Sequence, residues 1–204
     1  MKRPLIVTST LVAVLAASAL SLRAQVVFDR ILRAASEPQN WLTYSGTTMS
    51  QRYSPLTDIT VASARGLEQK WIYQVQSLEK FEATPLVVDG VMYLTRPENA
   101  IHALDAATGR QLWSYEYRNP PRTFNCCGKV NRGLAILDNT LFMNTLDMHV
   151  VAVDARSGRE LWRTTMYDYT AAGGYAAPGA PLIVKDKLIV GMAGGERGVS
   201  GFLD

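Results

Sequence analysis

The chain has 204 residues, of which 48% are hydrophobic and 19% charged, a composition that is typical of a globular domain and excludes a disordered or collagen-like protein. Its 21 basic and 18 acidic residues leave a formal charge of +3, too small and too evenly spread to indicate binding to nucleic acid or to a membrane surface. Two cysteines and two histidines at scattered positions are too few for a zinc site.

The N-terminus has the pattern of a secretory signal peptide. Lys2 and Arg3 precede an apolar run, residues 5–22, that is interrupted by hydroxyl residues and ends in small ones. Cleavage is expected after Ala19, in an A-x-A pattern, or after Ala24. An uncleaved membrane anchor is the alternative, but the run is short and hydroxyl-rich for a segment that must cross about 30 Å of hydrocarbon. We therefore expect an exported protein, periplasmic or secreted, with no membrane span in its mature part.

The sequence divides into a signal peptide (residues 1–24), a leader (25–66) and a β-rich region (67–204). Within residues 26–35 of the leader, apolar side chains recur at helical spacing before Pro38, which predicts one short helix. Beyond the leader, short runs of Val, Ile, Leu and aromatic residues alternate with Asp-Gly, Asp-Asn, Thr-Gly and Ser-Gly turns. This pattern is typical of an all-β fold.

An internal repeat organises the β-rich region. Residues 87–113, VVDGVMYLTRPENAIHALDAATGRQLW, are followed by a second copy at residues 135–162, AILDNTLFMNTLDMHVVAVDARSGRELW. Three pairs of matching residues are each 49 positions apart: Asp89 and Asp138, Asp105 and Asp154, and Trp113 and Trp162. A third copy begins around Asp186, 48 positions after Asp138, and ends before its tryptophan.

A four-stranded unit repeated at this period predicts the blades of a β-propeller. Each copy should end in a strand closed by Leu-Trp, and Gly109 and Gly158 should allow the positive φ of a tight turn. The large rings of Trp113 and Trp162 should pack between blades. Because propellers have about four to eight blades, two complete blades and part of a third predict an incomplete ring, either a piece of a longer protein or one that a partner closes.

Cys126 and Cys127 are candidates for chemistry because they are adjacent. Neighbouring Cα atoms lie about 3.8 Å apart across a trans peptide, below the roughly 4.4–6.8 Å usual for a disulfide, so a bridge between them must distort the backbone. In an oxidising compartment a vicinal disulfide is the expected state, with two free buried thiols as the alternative. Backbone strain of this kind is typical of a functional site.

Three charged residues are further candidates. Arg132 follows the cysteines and offers a planar fork suited to a carboxylate ligand. Glu196 lies in the glycine-rich segment GMAGGERG, where a ligand can approach the backbone closely and a carboxylate suits Ca²⁺. Glu82 lies just before the first complete blade. Taken singly, residues such as Arg132 and Glu196 are more often exposed surface residues, and the sequence holds no serine-hydrolase or haem-attachment motif.

Taken together, these motifs resemble the N-terminal part of the pyrroloquinoline-quinone (PQQ) dependent alcohol dehydrogenases, the methanol/ethanol dehydrogenase-like quinoproteins. The resemblance runs from about residue 25 to the end, and a Cys-Cys pair followed by Val-Asn-Arg inside Trp-closed blades makes it specific. The shared segments are NWLTYSG, QRYSPL, FEATPLVVDGVMY, CCGKVNRG, DAATGRQLW, DARSGRELW and GAPLIVKDKLIVGMAGGERG. The resemblance implies an all-β fold, the N-terminal blades of an eight-bladed propeller with PQQ near its axis.

The resemblance also implies roles for eight residues. A disulfide between Cys126 and Cys127 would cover one face of the quinone, and Glu196 would ligate the metal, calcium or a lanthanide. The remaining five would contact the cofactor, two at its polar edge and three as its lining: Arg132 and Glu82, and Ala193, Gly194 and Gly195. The metal would polarise the quinone carbonyl that accepts a hydride from the alcohol carbon.

Two departures from the family pattern limit this transfer. Pro178 stands where many members carry a Thr that contacts the cofactor. The catalytic Asp, the metal-binding Asn and the second stacking Trp of the family are expected beyond Asp204, so this chain alone is expected to lack turnover. The resemblance implies a small primary alcohol as substrate and cytochrome c as electron acceptor. The alternative is a non-enzymatic propeller scaffold of the cell envelope, which would not require Cys126, Arg132 and Glu196 together.

Overall fold

The computed structural model describes residues 26–121, 123, 128–168, 170 and 174–203. The strands in these residues form antiparallel sheets, and the helices are short. The predicted signal peptide lies outside the described residues, and so do Cys126 and Cys127. No helix in the described ranges is long and apolar enough to cross a bilayer.

The leader packs against the sheets through a short helix and two bridges. Helix α1, Phe28–Leu32, lies within the segment where apolar spacing predicts a helix, and its Ile31 is buried. Single turns of 3-10 helix follow at Ala34–Ser36 and Ala64–Gly66. Isolated antiparallel bridges join the leader to the sheets, Val26 with Asp138 and Trp41 with Val87.

Two four-stranded sheets form the centre of the structure. The first contains β1 (Leu86–Val88), β2 (Val91–Arg96), β3 (Ala100–Asp105) and β4 (Gln111–Glu116). The second contains β5 (Ala135–Leu137), β6 (Thr140–Asn144), β7 (His149–Asp154) and β8 (Glu160–Thr165). In both, each strand pairs with the next along the chain, as in a propeller blade. The predicted repeat and the all-β propeller fold are therefore confirmed, and we call these sheets blade 1 and blade 2.

A third, partial blade follows. It consists of β9 (Leu182–Val184) and β10 (Lys187–Ile189), followed by a 3-10 turn at Gly195–Arg197. The turns between the first two strands of the three blades share one residue with positive φ: Asp89 (50°), Asp138 (53°) and Lys185 (57°). The counterpart of Asp138 in the third copy is therefore Lys185, one residue before the predicted Asp186.

The fourth strand of each blade runs past its tryptophan. Strands β4 and β8 continue for three residues beyond Trp113 and Trp162, so the prediction that Leu-Trp closes the strand is wrong. The register shifts at the residue after Ala103 in β3 and after Ala152 in β7, and each tryptophan lies opposite one of these alanines in mid-strand.

Blade 1 and blade 2 contact each other through Trp113. Gly158 has φ 72°, and a Cβ built there would lie 2.6 Å from the Trp113 ring. Trp113 also donates its Nε1–H to the Ala155 carbonyl at 3.2 Å. The predicted packing of Trp113 between blades and the need for glycine in the turn are both confirmed. Trp162 packs against Phe142 of its own blade, as Trp113 packs against Tyr93, and remains 45% exposed, so the prediction that Trp162 packs between blades is not confirmed.

Candidate functional site

The segments that lead into the first strands of the three blades meet at one place. Thr84, before β1, forms a parallel bridge with Gly133, before β5, and donates its N–H to the Arg132 carbonyl at 3.0 Å. Arg132 in turn donates its N–H to the Pro178 carbonyl, before β9, at 2.8 Å. The backbone of Arg132 is thus held between the segments that lead into blade 1 and the partial blade.

A pocket of about 280 Å³ opens beside Arg132. Its wall is apolar apart from two charged residues, and it consists of Gly128, Val130, Arg132, Leu146, Ala176, Pro178, Ala193 and Glu196. The fold therefore brings Arg132 and Glu196, which are 64 positions apart in sequence, to one pocket. A second cavity of about 220 Å³ lies between the leader and strands β5 and β9, but no Asp, Glu, Lys, Arg or His lines it.

Glu82 reaches this site through an ion pair. Its Oε2 lies 3.0 Å from Nη2 of Arg132, and both side chains are about one-third exposed. Glu82 does not itself line the pocket. Because a guanidinium has five N–H donors, one contact with Glu82 leaves Arg132 able to bind a further carboxylate.

The glycine-rich segment places Ala193 and Glu196 at the pocket by a tight backbone path. Ala193 and Ala176 form an antiparallel bridge, with the Ala193 N–H donating to the Ala176 carbonyl at 2.8 Å. Gly194 has φ 130°, and a Cβ there would overlap the Gly174 carbonyl oxygen. Gly195 begins the 3-10 turn that carries Glu196, and it has open space where a side chain would be. Neither glycine lines the pocket.

Behind Arg132 lies a buried amide network that sequence reasoning missed. Asn131 is 1% exposed and donates to the Asn99 side-chain oxygen at 3.0 Å and to the Asn144 carbonyl at 2.8 Å. Its own Oδ1 accepts the Gly133 N–H at 3.2 Å. Asn144 donates to the Gly179 carbonyl at 3.0 Å. These bonds link the backbone around Arg132 to blade 1, blade 2 and the partial blade.

The repeat contains a signal for this network. Thr95 and Asn144 are 49 positions apart, each at or next to the end of a second strand, and both are buried. Thr95 donates its hydroxyl to the Asn131 carbonyl at 3.1 Å. A polar residue that recurs where a strand enters the core predicts a buried hydrogen bond, since an unpaired polar group there is costly.

The pocket residue Leu146 lies in a turn that is fixed by a buried carboxylate. Asp147 is fully buried and accepts the Tyr117 hydroxyl at 2.8 Å and the Thr145 hydroxyl at 2.5 Å. Two effects raise the pKa of Tyr117 above its ordinary value: burial, which is the larger, and the hydrogen bond to Asp147. The phenol therefore stays protonated and continues to donate to Asp147 at physiological pH. No sequence motif had indicated Asp147 or Tyr117.

The donor set suits a flat, anionic ligand together with a hard cation. PQQ is a planar tricarboxylate, for which Arg132 offers a guanidinium and the alanine, proline and leucine side chains offer an apolar surface. Glu196 offers carboxylate oxygens of the kind that Ca²⁺ prefers. The pocket residues therefore fit the cofactor and metal that the sequence predicts. Within the described ranges, no group of three or more His, Cys, Asp or Glu residues is arranged to hold a metal ion.

Comparisons with known proteins agree with the fold. The family model for PQQ-type glucose/ethanol/alcohol dehydrogenases, β-propeller domain, matches residues 41–198. The 1-butanol dehydrogenase (cytochrome c) of Thauera butanivorans is 41% identical over 166 residues, which are 80% of this chain and 24% of that protein. The quinoprotein alcohol dehydrogenase PedH of Pseudomonas putida is 38% identical over 203 residues, 98% of this chain and 33% of PedH.

Solved structures give the same result. A europium-containing methanol dehydrogenase matches with a TM-score of 0.80 at 36% identity, covering 86% of this chain and 31% of that one. The quinohemoprotein alcohol dehydrogenase ADHIIG of Pseudomonas putida HK5 matches with a TM-score of 0.79 at 37% identity, over 89% and 27% of the two chains. The chain spans about a quarter to a third of the length of these relatives. Its repeat, its blades and these matches show that the chain belongs to the family of PQQ-dependent β-propeller alcohol dehydrogenases.

Proposed function

We propose that this chain forms part of the cofactor site of an exported alcohol dehydrogenase, which oxidises a primary alcohol to an aldehyde by hydride transfer to PQQ. The observation that carries the proposal is the pocket in which Arg132 and Glu196 face apolar walls between the blades. The names of relatives support an alcohol as substrate, since they include 1-butanol and methanol dehydrogenases. The acceptor in the name of the 1-butanol enzyme supports cytochrome c as electron acceptor.

The residues of this chain would bind and orient the cofactor. Arg132 would donate to a cofactor carboxylate, and its ion pair with Glu82 would hold the guanidinium in that direction. Glu196 would ligate the metal, calcium or a lanthanide. Cys126 and Cys127, outside the described residues, would form a vicinal disulfide against the ring. When bound, the cofactor and metal supply an electrophilic carbonyl that accepts the hydride of the alcohol.

The apolar wall would exclude water from the face of the cofactor. Ala176, Pro178 and Ala193 carry no side-chain donor, and Pro178 cannot supply the hydroxyl that many family members place at this point. The Pro178 carbonyl instead accepts the Arg132 N–H at 2.8 Å, so this residue positions Arg132 through its backbone. The base that removes the alcohol proton would come from residues beyond Asp204, and this chain alone would then have no turnover.

A chimera tests this proposal. This chain replaces the matching part of the 1-butanol dehydrogenase, and the product is loaded with PQQ and with Ca²⁺ or a lanthanide. We expect reduction of a dye that depends on 1-butanol, and a loss of at least about 100-fold in kcat for Glu196→Gln because the metal loses its carboxylate. Glu68→Gln is the matched control, since Glu68 is 78% exposed and pairs with Lys70 on the surface.

Two results would count against the proposal. One is a folded chimera that takes up no PQQ. The other is a Glu196→Gln variant that binds the metal and turns over as fast as the Glu68→Gln control. Circular dichroism and thermal melting of each variant separate a failure to fold from a failure to bind.

A further inference from the structure

The cavity of about 220 Å³ between the leader and strands β5 and β9 lies apart from the pocket beside Arg132. No residue lines both. The two are neighbours, because Leu134 and Ala180, which line the cavity, lie two positions after the pocket residues Arg132 and Pro178, respectively. We call this second space the leader cavity. The proposed function gives it no role.

The lining of the leader cavity has an apolar part and a hydroxyl part. Aliphatic side chains from helix α1, the leader and the segment before β5 belong to the apolar part, among them Ile31, Leu42 and Leu134, each no more than 2% exposed. The hydroxyl part comes from one stretch of the leader, residues 43–50. The hydroxyl residues in the lining are Thr43, Tyr44, Ser45, Thr47, Thr48 and Ser50. A ligand in this cavity would therefore meet both hydrocarbon and hydroxyl groups.

Two of these hydroxyls are buried without a hydrogen bond. The Oγ1 atoms of Thr43 and Thr47 are screened from solvent, and neither has a hydrogen-bond partner among the described residues. A buried hydroxyl without a partner is costly, because it has given up its hydrogen bonds with water. Rotation about χ1 moves the hydroxyl of a threonine to another staggered position, so each hydroxyl can turn toward a ligand. A hydroxylated ligand would relieve this cost.

Charge and size limit the ligand further. No Asp, Glu, Lys, Arg or His lines the cavity, so an ion would lose its hydration there without meeting an opposite charge. An apolar protein cavity of about 150 Å³ holds one benzene molecule, so a cavity of about 220 Å³ holds a molecule of roughly nine non-hydrogen atoms. The lining therefore suits a small neutral molecule with a hydroxyl group and a hydrocarbon chain.

We propose that the leader cavity is a binding site for a neutral aliphatic alcohol of up to about eight carbons. The hydroxyl group of the alcohol would form hydrogen bonds with Thr43 and Thr47, and its chain would lie against Ile31, Leu42 and Leu134. Because an alcohol can both donate and accept, one ligand hydroxyl can satisfy both threonines. The inference goes beyond the cofactor site, and it depends neither on PQQ nor on catalysis.

An NMR titration of this chain, without PQQ or metal, tests the proposal. The probes are 1-hexanol, hexanoate and hexylammonium, which have the same chain length and differ in charge. We expect the amide signals of Tyr44, Ser45 and Thr48 to shift saturably with 1-hexanol in the millimolar range. The affinity for the two ions should be at least about tenfold lower, because the cavity offers them no opposite charge.

Two variants alter the cavity in different ways. Ala180→Leu places a larger side chain in the lining and should lower the affinity for 1-hexanol at least about tenfold. Thr47→Val removes one unpaired hydroxyl while it keeps the shape of the side chain, and it should lower the affinity at least about threefold. The same change should raise the melting temperature of the ligand-free chain, because a buried unpaired hydroxyl is lost. Thr164→Val, at an exposed position of β8, is the matched control and should change neither.

Opposite effects of Thr47→Val on affinity and on stability distinguish a ligand-binding hydroxyl from a structural one. Three results would overturn the proposal: no saturable shift with 1-hexanol, equal affinity for the alcohol and the two ions, or a folded Ala180→Leu variant that binds 1-hexanol as tightly as the unaltered chain. A Thr47→Val variant that melts below the unaltered chain would also overturn it, because the hydroxyl would then have a partner in the fold.

Discussion

Asn131 connects the segment that carries Arg132 to blade 1 and to blade 2. Its side chain makes three hydrogen bonds, to Asn99, Asn144 and Gly133. The neighbouring residue, Arg132, lines the pocket. A buried amide with satisfied bonds is a precise anchor, because any displacement leaves polar groups unpaired. The orientation of the Arg132 side chain therefore depends on a residue that does not itself line the pocket.

Replacing Asn131 should destabilise the chain markedly. We expect Asn131→Ala to lower the free energy of unfolding by about 3 kcal/mol, because it leaves buried partners without hydrogen bonds. Asn139→Ala, in the turn after β5, should cost less than about 1 kcal/mol. Urea denaturation followed by tryptophan fluorescence measures both. Equal losses for the two variants would show that the network contributes nothing specific.

A second residue-scale cluster fastens the leader to blade 1 and should make stability depend on pH. Arg30 donates its Nε–H to Glu37 at 2.9 Å and an Nη1–H to Asp89 at 3.0 Å. These hydrogen bonds hold the pKa of Glu37 and of Asp89 below their ordinary values. Carboxylates with lowered pKa stabilise the fold above the pKa of the unfolded chain, about 4, and lose that contribution as the pH falls below it.

The variant Arg30→Gln tests this dependence. At about pH 7 it should lower the free energy of unfolding by about 1 kcal/mol, a modest value because Asp89 is 40% exposed. The difference from the unaltered chain should shrink as the pH falls through about 4, where both carboxylates become protonated. Arg33→Gln, at an exposed neighbour of the helix, is the control. A difference that stays constant between about pH 7 and pH 3 contradicts the assignment.

The charged residues of the site could be predicted from the sequence, but the residues that hold them in place could not. Arg132 and Glu196 came from resemblance to a family, since taken singly each has the character of a surface residue. Arg132 and Glu196 come close together only through the relative placement of the three blades. A local sequence pattern does not predict that placement. Asn131 stood inside a recognised motif, yet its role depends on Asn99 and Asn144, which approach it only in the folded chain.

At the scale of the elements, the blades are held together by a tryptophan on a glycine turn. Gly158 and Gly90 both have positive φ, 72° and 85°, so alanine is strained at either. They differ in their surroundings, because a Cβ at Gly158 meets the Trp113 ring whereas one at Gly90 meets nothing within 4 Å. Alanine variants at the two positions therefore separate the stability lost to backbone strain in the turn from the stability lost to overlap with the Trp113 ring.

Alanine at Gly158 should therefore cost more stability than alanine at Gly90. Gly90→Ala should lower the free energy of unfolding by about 1 kcal/mol from backbone strain alone. Gly158→Ala should lower it by roughly 3 kcal/mol, since overlap with a packed ring adds to the strain. Chemical denaturation of the two variants decides the matter. If both lose the same amount, Trp113 does not fix the position of blade 2.

The repeat predicted most of the elements, and its failures have physical causes. Turn glycines and alternating apolar residues located the strands of blades 1 and 2, because both features recur at one period. The end of β4 was misplaced, since the residues after Trp113 pair with the start of β3, and this pairing is not marked by a turn residue in the sequence. Trp71, which packs on Gly109 as Trp113 packs on Gly158, was missed because it lies 42 rather than 49 positions before Trp113.

For the whole molecule, the site is a property of the arrangement and not of any one blade. Glu82 precedes blade 1, Arg132 precedes blade 2, and Ala193 and Glu196 follow the strands of the partial blade. A ligand that bridges Arg132 and Glu196 therefore also joins the blades, and its binding should stabilise the folded chain. The propeller fold forms the site by bringing these segments together.

A calorimetric titration of PQQ into this chain in the presence of Ca²⁺, for the unaltered protein, Arg132→Ala and Arg110→Ala, tests whether the pocket beside Arg132 binds the cofactor. We expect saturable binding at one site, at least about tenfold weaker binding to Arg132→Ala because a charge-assisted bond is lost, and no change for the exposed Arg110→Ala. No binding to the unaltered chain, or equal affinity for all three proteins, would contradict the claim that this pocket holds the cofactor.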